Sequence, residues 1–317
     1  MKFFRITNVY VSSYFLFLRI VYFNFLKNCS FLILTEHLGD IISCTSIPDE
    51  LYKEEKRKLI WIVNKKYAFV LKNNPYIYKV VSIQNLGVWI VVESILKKLS
   101  FIKIKIYNLH FDKRLCNYSG LHLNKVNNTC KINSDNYYKY GSLVEVFSQI
   151  GGLKKISSAP KLYISNEKKI FDGKYIVIHT TSNESTRNWN IEGWNSLVNY
   201  ILSNSNFSII EIGFINCITN KSNRFTDFTG HREMKELINI IYYSYKFIGI
   251  DSSFAHVANA YRKPSFILLG KYRMFLSYMP YSGYFKELES STLFRFNGNL
   301  NEMNFSTLFP VIKIIND

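Results

Sequence analysis

The chain lacks the common signatures that announce a phosphate or a nucleophile. It has no GxGxxG, so a dinucleotide oxidoreductase loses its usual phosphate turn. It has no GxxxxGK[ST], which excludes a P-loop, and no GxSxG elbow. It has no D-x-D pair, the arrangement through which a metal commonly bridges to a nucleotide diphosphate. Its five cysteines, Cys29, Cys44, Cys116, Cys130 and Cys217, form no CxxC and no metal-ligand spacing, which fits a reduced compartment. Acidic residues are scarce: Asp+Glu 23 against Lys+Arg 40, a formal charge of +17. That excess favours an acidic partner such as nucleic acid, an anionic membrane surface or a phosphorylated substrate. No basic, aromatic-lined stripe is present, so nucleic acid is not expected. A spanning helix needs about 20 largely uncharged residues. The apolar run Val9–Leu18 is cut short by Arg19. With Lys2, Arg5, Arg19 and Lys27 and no acid, residues 1–30 read either as an interfacial helix on an anionic membrane or as an ordinary helix packed on the first domain.

What the chain does have is alternation. Strands are expected at Phe31–Leu34, Leu59–Val63, Tyr78–Ser82 and Ile102–Tyr107. Helices are expected from the turn at Thr35–Asp40 to about Lys56, over Lys65–Lys72 and over Val88–Leu99. The stretch 108–135 is polar and irregular, and a helix follows over Tyr137–Ile150. A Gly-, Lys- and Ser-rich linker covers 151–174. A second series then runs through strand Tyr175–His179, helix Ile191–Leu202, strand Ser208–Ile212, helix Glu233–Tyr243 and strand Phe247–Ile250. It closes with helix Ala255–Tyr261 and strand Ser265–Leu269, and the apolar Phe305–Ile315 reads as a last helix interrupted by Pro310. Strand–helix alternation of this kind is the pattern of parallel α/β sheets, whose ligands lie beyond the carboxyl ends of the strands. Two such domains imply a cleft.

Three turns carry candidate chemistry. Gly39-Asp40 follows the first strand. Asp40 reads either as a helix cap or as a base positioned to take a proton from a hydroxyl. His179-Thr180-Thr181 ends the first strand of the second series and is followed by Arg187, so hydroxyls, amides and a guanidinium could converge on a pyrophosphate. Asp251-Ser252-Ser253 opens the helix that carries His256. A helix start offers free N–H groups and a favourable dipole to an anion. Trp189 and Trp194 read as core.

Those turns resemble glycosyltransferase family 9, the ADP-heptose:lipopolysaccharide heptosyltransferases, from about Phe31 to Gly270. The most specific stretch is IGIDSSFAHVANAYRKPSFILLG. HTTSNESTRNWNIEGWNSL and LGDIISCTSIPDEL carry the second and third matches. The resemblance implies a GT-B fold, with two Rossmann-like domains whose parallel sheets face across a cleft. The expected boundaries are an extension at 1–30, an acceptor domain at 31–160, a nucleotide-sugar domain at 161–300 and a helical segment at 301–317. It implies inverting, metal-independent transfer with no cofactor. The donor would be a nucleotide sugar, ADP-heptose first, and the acceptor a glycolipid of the lipopolysaccharide type. The location would be cytoplasmic, peripheral at the inner membrane. Another nucleotide sugar, a protein acceptor, or a non-catalytic nucleotide-sugar-binding relative are the alternatives. By that resemblance Asp40 is the base and Thr180, Thr181 and Arg187 hold the donor phosphates. Asp251 contacts sugar hydroxyls, Ser252 and Ser253 meet the pyrophosphate, and His256 and Asn216 complete the donor site. Ser253 stands where the family has glycine, and Asn216 lies where a ribose-side acid is expected.

Overall fold

The computed structural model describes residues 2–99, 101–125, 130–164 and 168–311. The chain divides into two compact units, Met1–Ile164 and Ser165–Asp317.

The first unit begins with helix α1 (Lys2–Lys27), then strand β1 (Cys29–Ile33), helices α2 (Leu38–Ser43) and α3 (Ile47–Glu55), and strands β2 (Lys58–Asn64) and β3 (Lys79–Ile83). Helix α4 (Leu86–Lys98) and strand β4 (Ile106–Asn108) complete a parallel sheet in the order β3-β2-β1-β4. Strands β1 and β2 are apolar almost throughout because both faces of the sheet are covered. The helix expected to run on to Lys56 is two helices. The Ser43 and Thr45 hydroxyls donate back to the carbonyls of Asp40 and Ile42, and Pro48, which has no N–H to donate, sits in the first turn of α3. The strand expected over Ile102–Tyr107 narrows to Ile106–Asn108, since the Ile102 amide turns back to the Leu99 carbonyl. The polar stretch that follows holds a small antiparallel hairpin, β5 (Leu115–Cys116) with β6 (Leu121–His122). The helix expected over Tyr137–Ile150 is a 3₁₀ turn (Tyr137–Tyr140) and α5 (Leu143–Ile150), separated by Gly141 at φ 123°. Only glycine takes that backbone angle cheaply. Glu145 accepts from the Ser142 amide at 2.7 Å as part of a capping box.

The second unit has strands β7 (Tyr175–His179), β8 (Ser208–Gly213), β9 (Phe225–Thr229), β10 (Lys246–Ile250), β11 (Ser265–Leu269) and β12 (Leu293–Arg295). Helices α6 (Ile191–Asn204), α7 (Met234–Tyr243) and α8 (Ser253–Ala260) intervene. All six strands are parallel, in the order β12-β11-β10-β7-β8-β9. Numbered within the unit this is 3-2-1-4-5-6, the doubly wound order of dinucleotide-binding domains, and it reverses between β7 and β10. The sequence reading missed β9 and β12. Both are edge strands, β9 the polar FTDFT and β12 three residues long, so neither shows a buried run. At the C-terminus a 3₁₀ turn (Phe305–Leu308) stands where a helix was expected, and residues 312–317 lie outside the described residues.

Trp189 and Trp194 are core, 4% and 0% exposed, as expected. The Trp189 indole donates to the Met303 carbonyl at 2.6 Å. A β-carbon on Gly193 would lie 2.2 Å from that indole. The Gly193→Ala variant must therefore displace the ring, and overpacking of this kind costs about 1–3 kcal/mol. Denaturant unfolding should show that loss; an unchanged midpoint would mean that the indole moves freely.

Candidate functional site

The switch point of the second sheet lies between the carboxyl ends of β7 and β10, and both turns singled out from sequence stand there. Strand β7 ends at His179 and runs into Thr180 and Thr181; β10 ends at Ile250 and runs into Asp251. Alpha-helix α8 starts at Ser253, with Ser252 as N-cap: its hydroxyl accepts from the Ala255 amide at 3.4 Å. The remaining first-turn amides point off the helix start, where the dipole favours an anion.

Arg187 reaches this helix start from a 3₁₀ turn, Ser185–Arg187. Its Nη1 donates to Asp251 Oδ2 at 2.9 Å and to the Asp251 carbonyl at 3.4 Å. Its guanidinium carbon lies 4.2 Å from the centre of the Tyr272 ring, a cation–π contact. The Asp251 carboxylate is 3% exposed. The Tyr278 hydroxyl donates to its Oδ2 at 3.1 Å and the Tyr281 hydroxyl to its Oδ1 at 3.0 Å. Both oxygens are thus engaged. The resemblance implies that Asp251 contacts sugar hydroxyls; here it holds Arg187 and two tyrosines of the loop after β11.

His256 is buried behind this group, its ring 4.8 Å from that of Tyr281. Burial lowers its pKa to about 4, against the pull of Asp251, with Arg187 adding to the fall. It is neutral near pH 7 and brings no charge to a phosphate. His179 is likewise buried, and desolvation lowers its pKa to about 3. Its ring packs on Phe254 at 4.7 Å.

Thr180 and Thr181 have different surroundings. Thr180 is fully buried and donates to Glu211 Oε1 at 3.0 Å. Glu211 also accepts from the Cys217 and Ile218 amides at 2.9 and 3.3 Å. Burial pushes the Glu211 carboxyl up from its ordinary value and those hydrogen bonds restrain the rise. Thr180 thereby ties the end of β7 to the loop after β8. Thr181 is half-buried. A β-carbon on Gly213, at φ 140°, would lie 3.9 Å from its hydroxyl and 3.4 Å from the His179 ring. Asn216 is exposed in the loop after β8, where its side chain hydrogen-bonds Asp227. Ser253 is the half-exposed first residue of α8. The structure therefore gathers Arg187, Asp251, Ser252 and Ser253 at one helix start, sets Thr181 at the neighbouring strand end, and leaves Asn216 on a separate loop.

The sequence reading missed Tyr272, Tyr278 and Tyr281. They lie in an irregular aromatic stretch with no periodicity, and their role depends on long-range contact. It also passed over Phe214, which follows β8 beside Ile215; the two are 72% and 62% exposed. Two apolar side chains in water at a strand's carboxyl end are the one local signal that could have marked them.

In the first unit the sheet reverses between β1 and β4. Thr35, just after β1, donates to His110 Nε2 from its amide at 3.0 Å, and its hydroxyl lies 3.0 Å from the same nitrogen. Burial holds the His110 pKa well below its ordinary value. The amide contact requires Nε2 to accept, which assigns the proton to Nδ1. Arg114 reaches the same turn, 3.4 Å from Glu36 and 2.7 Å from His37 Nε2. Asp40 is the half-exposed third residue of α2. The N-cap of that helix is His37, whose side chain makes no capping hydrogen bond.

No family model matches the chain, and neither does any curated protein. Solved structures match it in fold. ADP-heptose LPS heptosyltransferase II of E. coli superposes with a TM-score of 0.62 over 90% of this chain and 97% of that one, at 12% identity. A glycosyl transferase family 9 protein of Veillonella parvula gives 0.61 over 91% and 97%, at 14% identity. TibC of enterotoxigenic E. coli, a dodecameric iron-containing heptosyltransferase solved with ADP-D-beta-D-heptose, gives 0.55 over 81% of this chain at 16% identity. The chain spans about three fifths of the length of TibC. With two Rossmann-like units and these matches, the chain has the GT-B fold of the solved family 9 heptosyltransferases.

Proposed function

We propose that the chain is an inverting glycosyltransferase that moves a sugar from a nucleotide diphosphate to a glycolipid hydroxyl at the cytoplasmic face of a membrane. ADP-heptose is the donor we put first, since ADP-heptose is the ligand named with TibC. The observation that carries the reading is the Arg187 guanidinium, held 2.9 Å from Asp251 at the start of α8, at the switch point of a complete doubly wound sheet. Transfer expels a nucleotide diphosphate through a transition state that gathers negative charge on the leaving group. A preorganised guanidinium and helix-start amides stabilise that charge without reorganising. In this reading Arg187, Thr181, Ser252 and Ser253 receive the pyrophosphate. Asp251, with Tyr278 and Tyr281, orients Arg187, and Thr180 secures the strand end on which Thr181 stands. His256 acts as neutral packing. Phe214 and Ile215 offer an apolar face to the base, beside Asn216. No step of this scheme is assigned to a metal.

A sugar hydroxyl needs its proton removed as it attacks. Asp40, half-exposed in the first turn of the helix that follows β1, is the base in this reading. Asp40→Asn should lower transfer by about two to four orders of magnitude while leaving ADP affinity unchanged in calorimetry. Full transfer by that variant removes Asp40 from the role. Arg187→Ala should weaken ADP about tenfold or more, the loss of one charge-assisted contact, with Arg187→Lys closer to the parent. An unchanged ADP affinity in the alanine variant overturns the assignment of Arg187. Stabilisation by UDP rather than ADP in a thermal shift would keep the transferase reading and change the donor.

A further inference from the structure

Helix α1 is apolar on two opposite faces, and only one of them is covered. Val9, Leu16, Ile20 and Phe23 are buried in the core of the first unit. The Ser13 hydroxyl, also buried, lies 3.0 Å from the Val88 carbonyl of α4, and Asn24 donates to the Lys103 carbonyl at 3.3 Å. Tyr10, Val11, Tyr14, Phe15, Leu18, Tyr22, Phe25 and Leu26 are between 44% and 68% exposed. At 3.6 residues per turn these eight positions form one stripe opposite the buried one. So much contiguous apolar surface on one helix marks an interaction site.

The charges select the partner. The helix contains no acidic residue. Arg5, Arg19 and Lys27 lie along it, all exposed; at 3.6 residues per turn Arg19 flanks the aromatic stripe, while Lys27 and Arg5, the latter over the Tyr118 ring at 5.5 Å, fall on the covered side. The exposed face is rich in Tyr and Phe, side chains that settle at the boundary between headgroups and acyl chains. Length and composition alone would let Arg5–Lys27 cross a bilayer. The packing argues against that orientation: a spanning helix would have to leave α4, exposing the buried stripe and breaking the Ser13 and Asn24 contacts. We propose that α1 is an in-plane anchor. Its buried stripe stays on the first unit while its aromatic stripe sinks into the surface of an anionic bilayer, with Arg19 at the stripe's flank among the lipid headgroups. This inference stands apart from the transferase reading, because vesicle binding requires no donor and no acceptor.

Co-sedimentation of the full chain tests it, with vesicles of phosphatidylcholine alone and of phosphatidylcholine mixed with phosphatidylglycerol. Binding should favour the anionic vesicles and fall with added salt. Replacing Tyr14, Phe15, Phe25 and Leu26 together by Ser should lower it by about tenfold or more. All four tryptophans of the chain are at most 4% exposed, so Phe25→Trp supplies a separate reporter even if the fourfold variant folds poorly. Its emission should move to the blue and become shielded from acrylamide when anionic vesicles are added. Failure to bind anionic vesicles overturns the proposal. So does unchanged binding by a folded fourfold variant, an unshifted Trp at 25, or a soluble dimer joined through this stripe that ignores lipid.

Discussion

The second unit depends on one buried carboxylate. Asp251 gathers Arg187, Tyr278 and Tyr281, which come from two other stretches of chain, and it does so at the first residue after β10. A buried carboxylate is tolerable only when its lone pairs are filled and its charge is matched. Arg187 supplies the charge and the two tyrosines supply further donors. The same contacts fix the loop after β11 against the start of α8, and Tyr272 of that loop underlies the guanidinium. Arg187 is therefore held from both sides, by an anion and by an aromatic face. A cation so placed is oriented before any ligand arrives.

Both units use the same geometric device with different chemistry. In each sheet the strand order reverses beside the first strand, and the two loops leaving that point are tied together. In the second unit the tie is ionic, between Arg187 and Asp251. In the first it is neutral, from Thr35 to the buried His110. Burial keeps His110 uncharged, so this tie does not switch on or off across the physiological range. Glu36, Asp40 and Arg114, near this tie, are half-exposed instead. This division suits a rigid frame that carries a small number of accessible polar groups.

Much of this architecture was legible in the residues. Apolar strands bounded by turns located β1, β2, β7, β8, β10 and β11, because buried parallel strands are nearly continuous apolar runs. The strands β9 and β12 were not legible, since β9 is the polar FTDFT and β12 is only three residues long. At the site, the residues next to strand ends could be read: Asp40, Thr181, Arg187 and Ser252 all stand at or near turns where their types signal caps or anion contacts. What could not be read was which polar groups would consume one another. Thr180 and Thr181 are adjacent and chemically identical, yet one spends its hydroxyl on the buried Glu211 and the other stands beside Gly213. Strand alternation sends neighbouring side chains to opposite faces, and only the partner strand reveals which face holds a buried acid. Asp251 is the same case at larger scale, because its tyrosine partners lie 27 and 30 residues downstream in a stretch without periodicity.

Ser253 sharpens the consequence of that crowding. The resemblance places glycine at the first residue of α8, where a phosphate would come closest to the backbone. A serine there adds a β-carbon and a hydroxyl at the helix start, beside an N-cap serine already engaged with the Ala255 amide. Two effects oppose each other. The added atoms narrow the approach to the backbone amides, while the hydroxyl can donate to the same anion that the amides attract. A neutral hydrogen bond contributes about 1 kcal/mol, and a contact to a charged group about 1.5–3 kcal/mol, so a hydroxyl donating to a phosphate oxygen can offset a longer amide contact. In the proposed donor site the serine would thus exchange part of the backbone approach for a hydroxyl donor. The group that would be hardest to replace is Arg187, whose position is set by Asp251 and Tyr272 together.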